Sequence, residues 1–247
     1  MKYYEAILEL GCFSLSELIT SIGKNEKTVK SLLQSYVQKG YVKQIRRNLY
    51  TAISLETRAP VASPFQIASK LSPTAYISHR SAFAYYGYVD QVSYEMDVFS
   101  ESRFNKFEFD GIDYYCISSK CNLGIVEIRG VRVTNIERAV IDYINQFDRI
   151  GGLEELLKGL EMIPYLSEEK LMNYLQFYDK SFLYQKAGYI LEHYQKELKL
   201  SEYFIEECAA RKTKSIRYFT NTLPKNRLIY NSKWGLIVPE KLLHISE

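Results

Sequence analysis

The stretch from residue 14 to residue 52 most constrains the fold, because it indicates two helices, a tight turn and a strand hairpin. The tetrapeptide at 14–17 (Ser-Leu-Ser-Glu) matches a capping box, in which Ser14 and Glu17 each accept from the other's backbone N–H. Apolar residues follow at helical spacing, and Gly23 supplies the left-handed residue that ends this helix. Asn25 is a suitable cap for a second helix that Gly40 ends. The pattern predicts a helix-turn-helix.

The residues after Gly40 change from helical to alternating periodicity. Residues 41–45 and 49–52 would pair as two strands, with Arg46, Arg47 and Asn48 at the tip of the hairpin. A helix-turn-helix followed by such a hairpin is a winged helix-turn-helix. Two arginines at the tip of the wing suit contact with the DNA backbone or the minor groove.

The second helix has one apolar and one polar face. Its apolar stripe consists of Val29, Leu32, Leu33, Tyr36 and Val37. The polar side of the helix and the hairpin tip supply the candidate DNA-binding residues, which are Lys24, Asn25, Lys27, Thr28, Lys30, Ser31, Gln34, Gln38, Arg46, Arg47 and Asn48. Lysine and arginine reach phosphate oxygens, whereas amides and hydroxyls read base edges. We therefore expect double-stranded DNA as a partner; the alternative is a small helical subdomain with a solvated basic face.

The charge distribution agrees with a nucleic-acid role for the N-terminal segment alone. Residues 24–47 hold seven Lys/Arg and one Glu, a net charge of +6. Residues 1–53 hold eight Lys/Arg and four Asp/Glu (+4), whereas the remainder of the chain holds 24 and 25 (−1). Because a positive excess attracts polyanions, the first segment is the part expected to face DNA.

The rest of the composition is that of an ordinary globular protein. Four scattered cysteines and three distant histidines show no disulfide framework and no metal-ligand spacing, so we expect no metal and no cofactor. Without a signal peptide or a membrane-length apolar run, we expect a cytoplasmic protein.

Periodicity beyond residue 56 predicts a larger second domain. The predicted fold class of the whole chain is α+β. The boundary is placed in an aperiodic segment around Pro60, which gives a winged domain at 1–56 and a mixed α/β domain at 57–247. The second domain divides into a β-hairpin region at about 94–133, a helical block at about 135–212 and a short extended tail at 215–247. Asp-Gly at 110–111 and Arg-Gly at 129–130 are the predicted hairpin turns.

Two motifs in the second domain are interpreted as elements that hold the fold. Ser78 would cap a helix that begins beside His79, and the histidine would tie the strand to that helix. Thr134 and Glu137 would form a second capping box, followed by a pair between Arg138 and Asp142.

An alternative is a nuclease delivered by the winged domain, because Asp97 and the later Glu127 and Arg129 resemble spaced active-site residues. Metal-dependent nucleases need convergent carboxylates and a basic residue near the attacking water, but arginine stays charged and cannot serve as a base. A further alternative is a winged fold that binds protein, which a lysine-rich face disfavours. We therefore expect no enzymatic activity.

The succession of motifs resembles the AbiEi family of abortive-infection antitoxins, also described as transcriptional regulators of phage defence. The resemblance is carried by the winged helix, the segment 76–82 (Tyr-Ile-Ser-His-Arg-Ser-Ala), the pattern Thr134-x-x-Glu137-Arg138-x-x-x-Asp142 and the segment 231–234 (Asn-Ser-Lys-Trp). It spans most of the chain.

The resemblance implies two roles. The winged domain would bind inverted repeats in its own promoter and repress a toxin–antitoxin operon. The second domain would counteract a nucleotidyltransferase-type toxin, by a mechanism that does not imply a stable complex with that toxin.

Overall fold

The fold is described from a computed structural model that covers residues 3–91, 93–117, 121–220, 227–240 and 242. The chain forms two compact units. The first comprises Met1–Ile77, Tyr94–Ser118 and Glu127–Val133, and the second comprises Ser78–Ser93, Ser119–Val126 and Thr134–Glu247. The predicted boundary at residue 57 therefore does not coincide with the division between the units, because residues 1–56 share their unit with later strands.

The described residues form a mixed α/β fold of ten helices and twelve strands. The helices are α1 (Tyr4–Leu10), α2 (Leu15–Ile22), α3 (Glu26–Gln38), α4 (Pro64–Ser69), α5 (His79–Tyr86), α6 (Ile136–Gln146), α7 (Gly152–Met162), α8 (Glu168–Tyr178), α9 (Ser181–His193) and α10 (Glu202–Arg211). The strands are β1 (Cys12–Phe13), β2 (Val42–Arg46), β3 (Leu49–Ala52), β4 (Tyr76–Ile77), β5 (Glu95–Phe99), β6 (Phe107–Phe109), β7 (Ile112–Ile117), β8 (Ile125–Ile128), β9 (Val131–Thr134), β10 (Arg217–Tyr218), β11 (Leu228–Asn231) and β12 (Leu236–Pro239).

Helices α1–α3 pack with a three-stranded antiparallel sheet, β1-β3-β2. The fully buried members of their hydrophobic core all lie between Tyr4 and Ala52, and the partly buried ones extend only to Leu55. The predicted segment 1–56 thus has an apolar core of its own, although it belongs to a larger unit.

A six-stranded sheet follows in the order β6-β7-β5-β4-β9-β8. The predicted turns at 110–111 and 129–130 both have positive φ at their two central residues, as a two-residue hairpin turn requires. The first turn joins the antiparallel pair β6 and β7, and the second joins the sheet neighbours β8 and β9. Both hairpin predictions are confirmed.

The helical part of the second unit is arranged around α6, which is buried from Glu137 to Ile144 and contacts α5, α7, α8 and α9. Ser167 and Ser201 cap α8 and α10, each accepting a backbone N–H with its hydroxyl. Helix α9 ends at His193, and turns follow it.

The predicted extended tail contains a small sheet, β10-β12-β11. Trp234 anchors this part of the chain, because its indole is fully buried and its N–H donates to Glu192 on α9 at 2.6 Å. Gln185 on α9 also donates to the backbone oxygen of Trp234. Residues 221–226, 241 and 243–247 of the predicted tail lie outside the described residues.

None of the helices in the described ranges combines the length and the hydropathy that crossing a membrane requires.

Candidate nucleic-acid interface

Both predicted caps, that of α2 and that of α3, are present. The Ser14 hydroxyl accepts from the Glu17 N–H at 3.3 Å, and the Glu17 carboxylate accepts from the Ser14 N–H at 2.7 Å. Gly23 ends α2 with φ 67°, and the Asn25 side chain accepts from the Thr28 N–H at 2.9 Å. These short-range bonds fix where α2 ends and where α3 begins.

Helix α3 presents one buried and one exposed face. Val29, Leu33 and Tyr36 are buried in the core of α1–α3. The exposed residues of the predicted DNA-binding set on this helix and in the turn before it are Lys24, Asn25, Lys27, Thr28, Lys30, Ser31, Gln34 and Gln38. Every predicted residue from Lys24 to Gln38 is therefore accessible to a ligand.

Two of these exposed residues already have partners within α3. The Lys30 ammonium lies 2.5 Å from the Glu26 carboxylate, one helical turn away, and the Asn25 side chain is used as the cap. Within the described part of the chain, no carboxylate pairs with Lys24 or Lys27. These two lysines are consequently the cations of the helix best placed to contact phosphates.

The hairpin tip differs from the prediction. Arg46 is the last residue of β2 rather than a tip residue, and its guanidinium lies over the rings of Phe104 and Phe107, at 5.3 and 5.6 Å from their centroids. Asn48 has φ 60° in the turn, and its side-chain oxygen accepts from the Leu15 N–H at 3.2 Å. Arg47 alone of the three is an exposed cation in the turn.

The side chains of Arg46 and Asn48 thus both have partners within the chain, and their assignment as DNA contacts stays a prediction. Sequence spacing could not show this, because Phe104 and Phe107 lie more than fifty residues further along the chain. A cation over an aromatic face contributes about 0.5–2 kcal/mol, which favours retention of Arg46 in this position. Asn48 accepts from the Leu15 N–H, one of the backbone donors that the first turn of a helix leaves unpaired.

A groove of about 290 Å³ separates the polar edge of α3 from the hairpin. Its polar lining comes from Lys30, Gln34 and Gln38 on the helix and from Gln44 on β2. Val37, which the sequence places on the apolar stripe, is 37% exposed and lines this groove instead of the core. Helix and hairpin therefore present donors and acceptors to one common space.

The predicted pair between Arg138 and Asp142 is confirmed in the second unit. The Arg138 Nε lies 2.8 Å from Asp142, and both side chains are completely buried. Tyr178 donates to the same carboxylate at 2.5 Å, and Arg138 donates to the Leu123 carbonyl at 2.6 Å. Burial lowers the pKa of Arg138, but the Asp142 carboxylate outweighs this effect and leaves the pKa above its ordinary value.

The predicted capping box at Thr134 is wrong. Thr134 is the last residue of β9, and Asn135 is the cap of α6, accepting from the Arg138 N–H at 3.0 Å. Glu137 instead accepts from the Ser167 N–H at 3.2 Å and therefore joins α6 to the start of α8. Threonine and asparagine both cap helices, so sequence alone does not decide which of Thr134 and Asn135 is still in β9.

His79 is fully buried at the start of α5 with φ 53°, a conformation that few non-glycine residues adopt. Ser78 is at the cap position, but its hydroxyl bonds to His79 Nδ1 at 2.6 Å and not to the helix backbone, so the predicted cap bond is absent. Burial lowers the pKa of His79 from 6.5 to about 4, an effect to which Arg138 adds and which Asp142 opposes.

Replacing His79 with asparagine is expected to reduce the loss of stability on acidification between pH 6.5 and 4. The unfolded chain protonates the imidazole near pH 6.5, whereas the folded protein keeps it neutral to about pH 4. The unfolded state then binds more protons, so lowering the pH removes up to about 3 kcal/mol of stability. Asparagine tolerates positive φ and does not titrate.

Urea unfolding at pH 7, 5.5 and 4.5 measures this difference. The exposed His193, replaced by asparagine in the same way, is the control. An equal acid sensitivity of the His79→Asn variant and the unchanged protein would contradict the explanation.

Asp97 and Glu127, the two carboxylates of the nuclease alternative, do not converge. Asp97 is buried on β5 and Glu127 is exposed on β8, with β4 and β9 between them in the sheet. Three strand spacings correspond to about 14 Å. Of the residues that the structure describes, no three His, Cys, Asp or Glu side chains are grouped so as to hold a metal ion.

No protein-family model matches the sequence, and no curated protein sequence matches it. The fold is similar to that in the crystal structure of the Rv2827c protein from Mycobacterium tuberculosis, with a TM-score of 0.65. The match covers 100% of this chain and 95% of that chain at 13% sequence identity. At this identity the likeness concerns the fold alone.

Proposed function

We propose that this protein is a DNA-binding antitoxin that represses its own operon, with α2, α3 and the β2–β3 hairpin acting as a winged helix-turn-helix. The observation that carries the proposal is the exposed polar face of α3, which shares a groove with the hairpin. The proposed ligand is duplex DNA, in the form of inverted repeats in the promoter. The proposal includes a cytoplasmic location and no enzymatic activity, cofactor or membrane contact.

Seven residues have a defined part in this proposal. Lys24, Lys27 and Arg47 contact phosphates, because their side chains are long, cationic and exposed. Ser31 and Gln34 read base edges, since they lie in the middle of the exposed face of α3, where a major-groove helix meets the bases. Arg46 and Asn48 hold the hairpin in place for these contacts.

The second unit is proposed to counteract a nucleotidyltransferase-type toxin. Support comes from the order of the motifs along the chain, which resembles that of AbiEi antitoxins. In the structure, the members of these motifs are mostly buried, as with Arg138, Asp142 and Trp234. They therefore explain how this unit is held together, and the proposed neutralisation depends on the unit's surface.

Removing Lys27 and Arg47 is expected to weaken binding to promoter DNA and to unrelated duplexes alike. Each lost phosphate contact should flatten the slope of log affinity against log salt by about 0.9. Gln34→Ala should instead change sequence preference, by about 1–3 kcal/mol at the base pair that it contacts. Fluorescence anisotropy with the full-length protein, between 50 and 200 mM salt, measures both effects.

The matched control is Lys196→Ala, which removes an exposed lysine from the second unit. An unchanged salt slope in the Lys27→Ala/Arg47→Ala variant would refute the DNA-binding assignment. The antitoxin role is tested by co-expression with a nucleotidyltransferase-like toxin encoded in the same operon. Restored growth supports the proposal, and undiminished toxicity at equal protein levels contradicts it.

A further inference from the structure

The segment from Cys208 to Pro239 contains the second concentration of positive charge in the chain. Its basic residues are Arg211, Lys212, Lys214, Arg217, Lys225, Arg227 and Lys233, and it contains no aspartate or glutamate. The net charge of residues 54–247 is only −1, because acidic residues elsewhere in this range offset the basic residues of this segment. Such a one-sided distribution attracts polyanions.

The described part of this segment builds the sheet β10-β12-β11. Tyr218 on β10 and Tyr230 on β11 are both paired in register with Ile237 on the central strand. Residues directly opposite each other project from the same face of a sheet, so these three side chains form a row. Leu228 lies two residues from Tyr230 along β11 and hence on the same face.

This row is open to solvent. Tyr218 is 56% exposed and Tyr230 is 54% exposed, whereas the opposite face buries Leu236 and Val238. Two strand spacings separate the tyrosines by about 10 Å. Exposed aromatic rings on one sheet face, at a separation that two splayed nucleotides can span, form a platform for stacking bases.

Basic side chains accompany the platform. Lys214 is exposed before β10, and Arg217 is exposed on β10, where its register with Leu236 starts its side chain from the opposite face. Within the described residues no carboxylate pairs with either of them. Arg227, one residue before Leu228, also starts from the opposite face and is exposed, with Glu240 at 3.8 Å. Weak pairing of this kind leaves the cations available to phosphates. A protein partner is less favoured, because interface cores are depleted in lysine.

We infer that the outer face of the β10-β12-β11 sheet binds single-stranded nucleic acid. Tyr218 and Tyr230 stack on unpaired bases, and Lys214 contacts the phosphates. Arg217 and Arg227, at the two edges of the sheet, add to the positive charge around this face. A duplex does not fit this chemistry, since its base faces are covered by their neighbours. The site belongs to the second unit and does not depend on the proposed winged helix-turn-helix.

The test measures anisotropy of labelled 12-nucleotide oligouridine RNA and oligothymidine DNA with the full-length protein. The Lys24→Ala/Lys27→Ala/Arg47→Ala background removes the proposed duplex contacts, and a 12-base-pair duplex is the control ligand. Each of Tyr218→Ala and Tyr230→Ala is expected to weaken single-strand binding by about 5- to 150-fold. Phenylalanine at either position should retain the affinity, because it keeps the stacking surface.

Charge and fold are tested separately. Lys214→Ala should flatten the salt slope by about 0.7, whereas Arg217→Ala should flatten it less, because its side chain starts from the opposite face. Tyr203→Ala, which removes a 68% exposed tyrosine on α10, is the matched control and should bind as the unchanged protein does. Thermal unfolding of each variant shows that the sheet is intact.

Three results would overturn the inference: no single-strand binding by the background protein at micromolar concentration, tighter binding to the duplex, or full affinity in the Tyr218→Ala/Tyr230→Ala variant. Equal binding of RNA and DNA supports stacking alone, whereas a preference for RNA identifies it as the ligand.

Discussion

Replacing Asp142 with alanine is expected to lower the free energy of unfolding by about 3–5 kcal/mol. The substitution leaves the Arg138 guanidinium buried without its carboxylate, and it removes the acceptor of Tyr178. An unpaired charge inside a protein loses its hydration and gains nothing in return. Urea unfolding followed by circular dichroism measures the change.

A double variant separates the cost of an unpaired charge from the value of the pair itself. Arg138→Met/Asp142→Leu removes both charges and keeps apolar bulk, so it should be less destabilised than Asp142→Ala alone. If the double variant is instead destabilised as much as Asp142→Ala, the buried pair stabilises the fold in its own right. The loss in Asp142→Ala would then not come from an unpaired guanidinium.

Trp234→Ala is expected to destabilise the protein by about 3–5 kcal/mol. The indole is fully buried, and it lies so close to Gly188 on α9 that a side chain at that position would collide with the ring. Alanine would leave a cavity against α9 and remove the donor to Glu192. Denaturant unfolding measures this change as well.

The control for Trp234 is Tyr203→Ala, because this tyrosine is exposed and its removal opens no cavity. Gly188→Ala tests the same contact from the α9 side. It should also destabilise the protein, because the added methyl group overpacks the contact, which costs about 1–3 kcal/mol. A stable Gly188→Ala variant would show that α9 and the indole are less closely packed than described.

The features that sequence predicted correctly depend on neighbours within a few residues. Ser14 with Glu17, Asn25 with Thr28 and the Asp-Gly turn at 110–111 involve bonds or dihedral angles that the local sequence determines. The Arg138–Asp142 pair was predictable for the same reason, because residues four apart lie on one side of a helix.

The features that it missed depend on distant contacts. Arg46 lies over Phe104 and Phe107, and Glu137 bonds to the backbone of Ser167, thirty residues away. The basic segment around β10–β12 was visible in the sequence, but averaging over the second domain concealed it. The row formed by Tyr218, Ile237 and Tyr230 needed the strand register.

The two attachments of the β2–β3 hairpin have an entropic consequence. Asn48 fixes one side of the turn to α2, and Arg46 fixes the end of β2 to aromatic rings. The turn therefore loses much of its conformational freedom when the chain folds, before it binds a ligand. Association of a preorganised loop avoids a penalty of about 0.5–1.5 kcal/mol for each side chain that would otherwise be immobilised. Phe104→Ala, which removes one of the rings under Arg46, should accordingly weaken the DNA affinity that depends on Arg47.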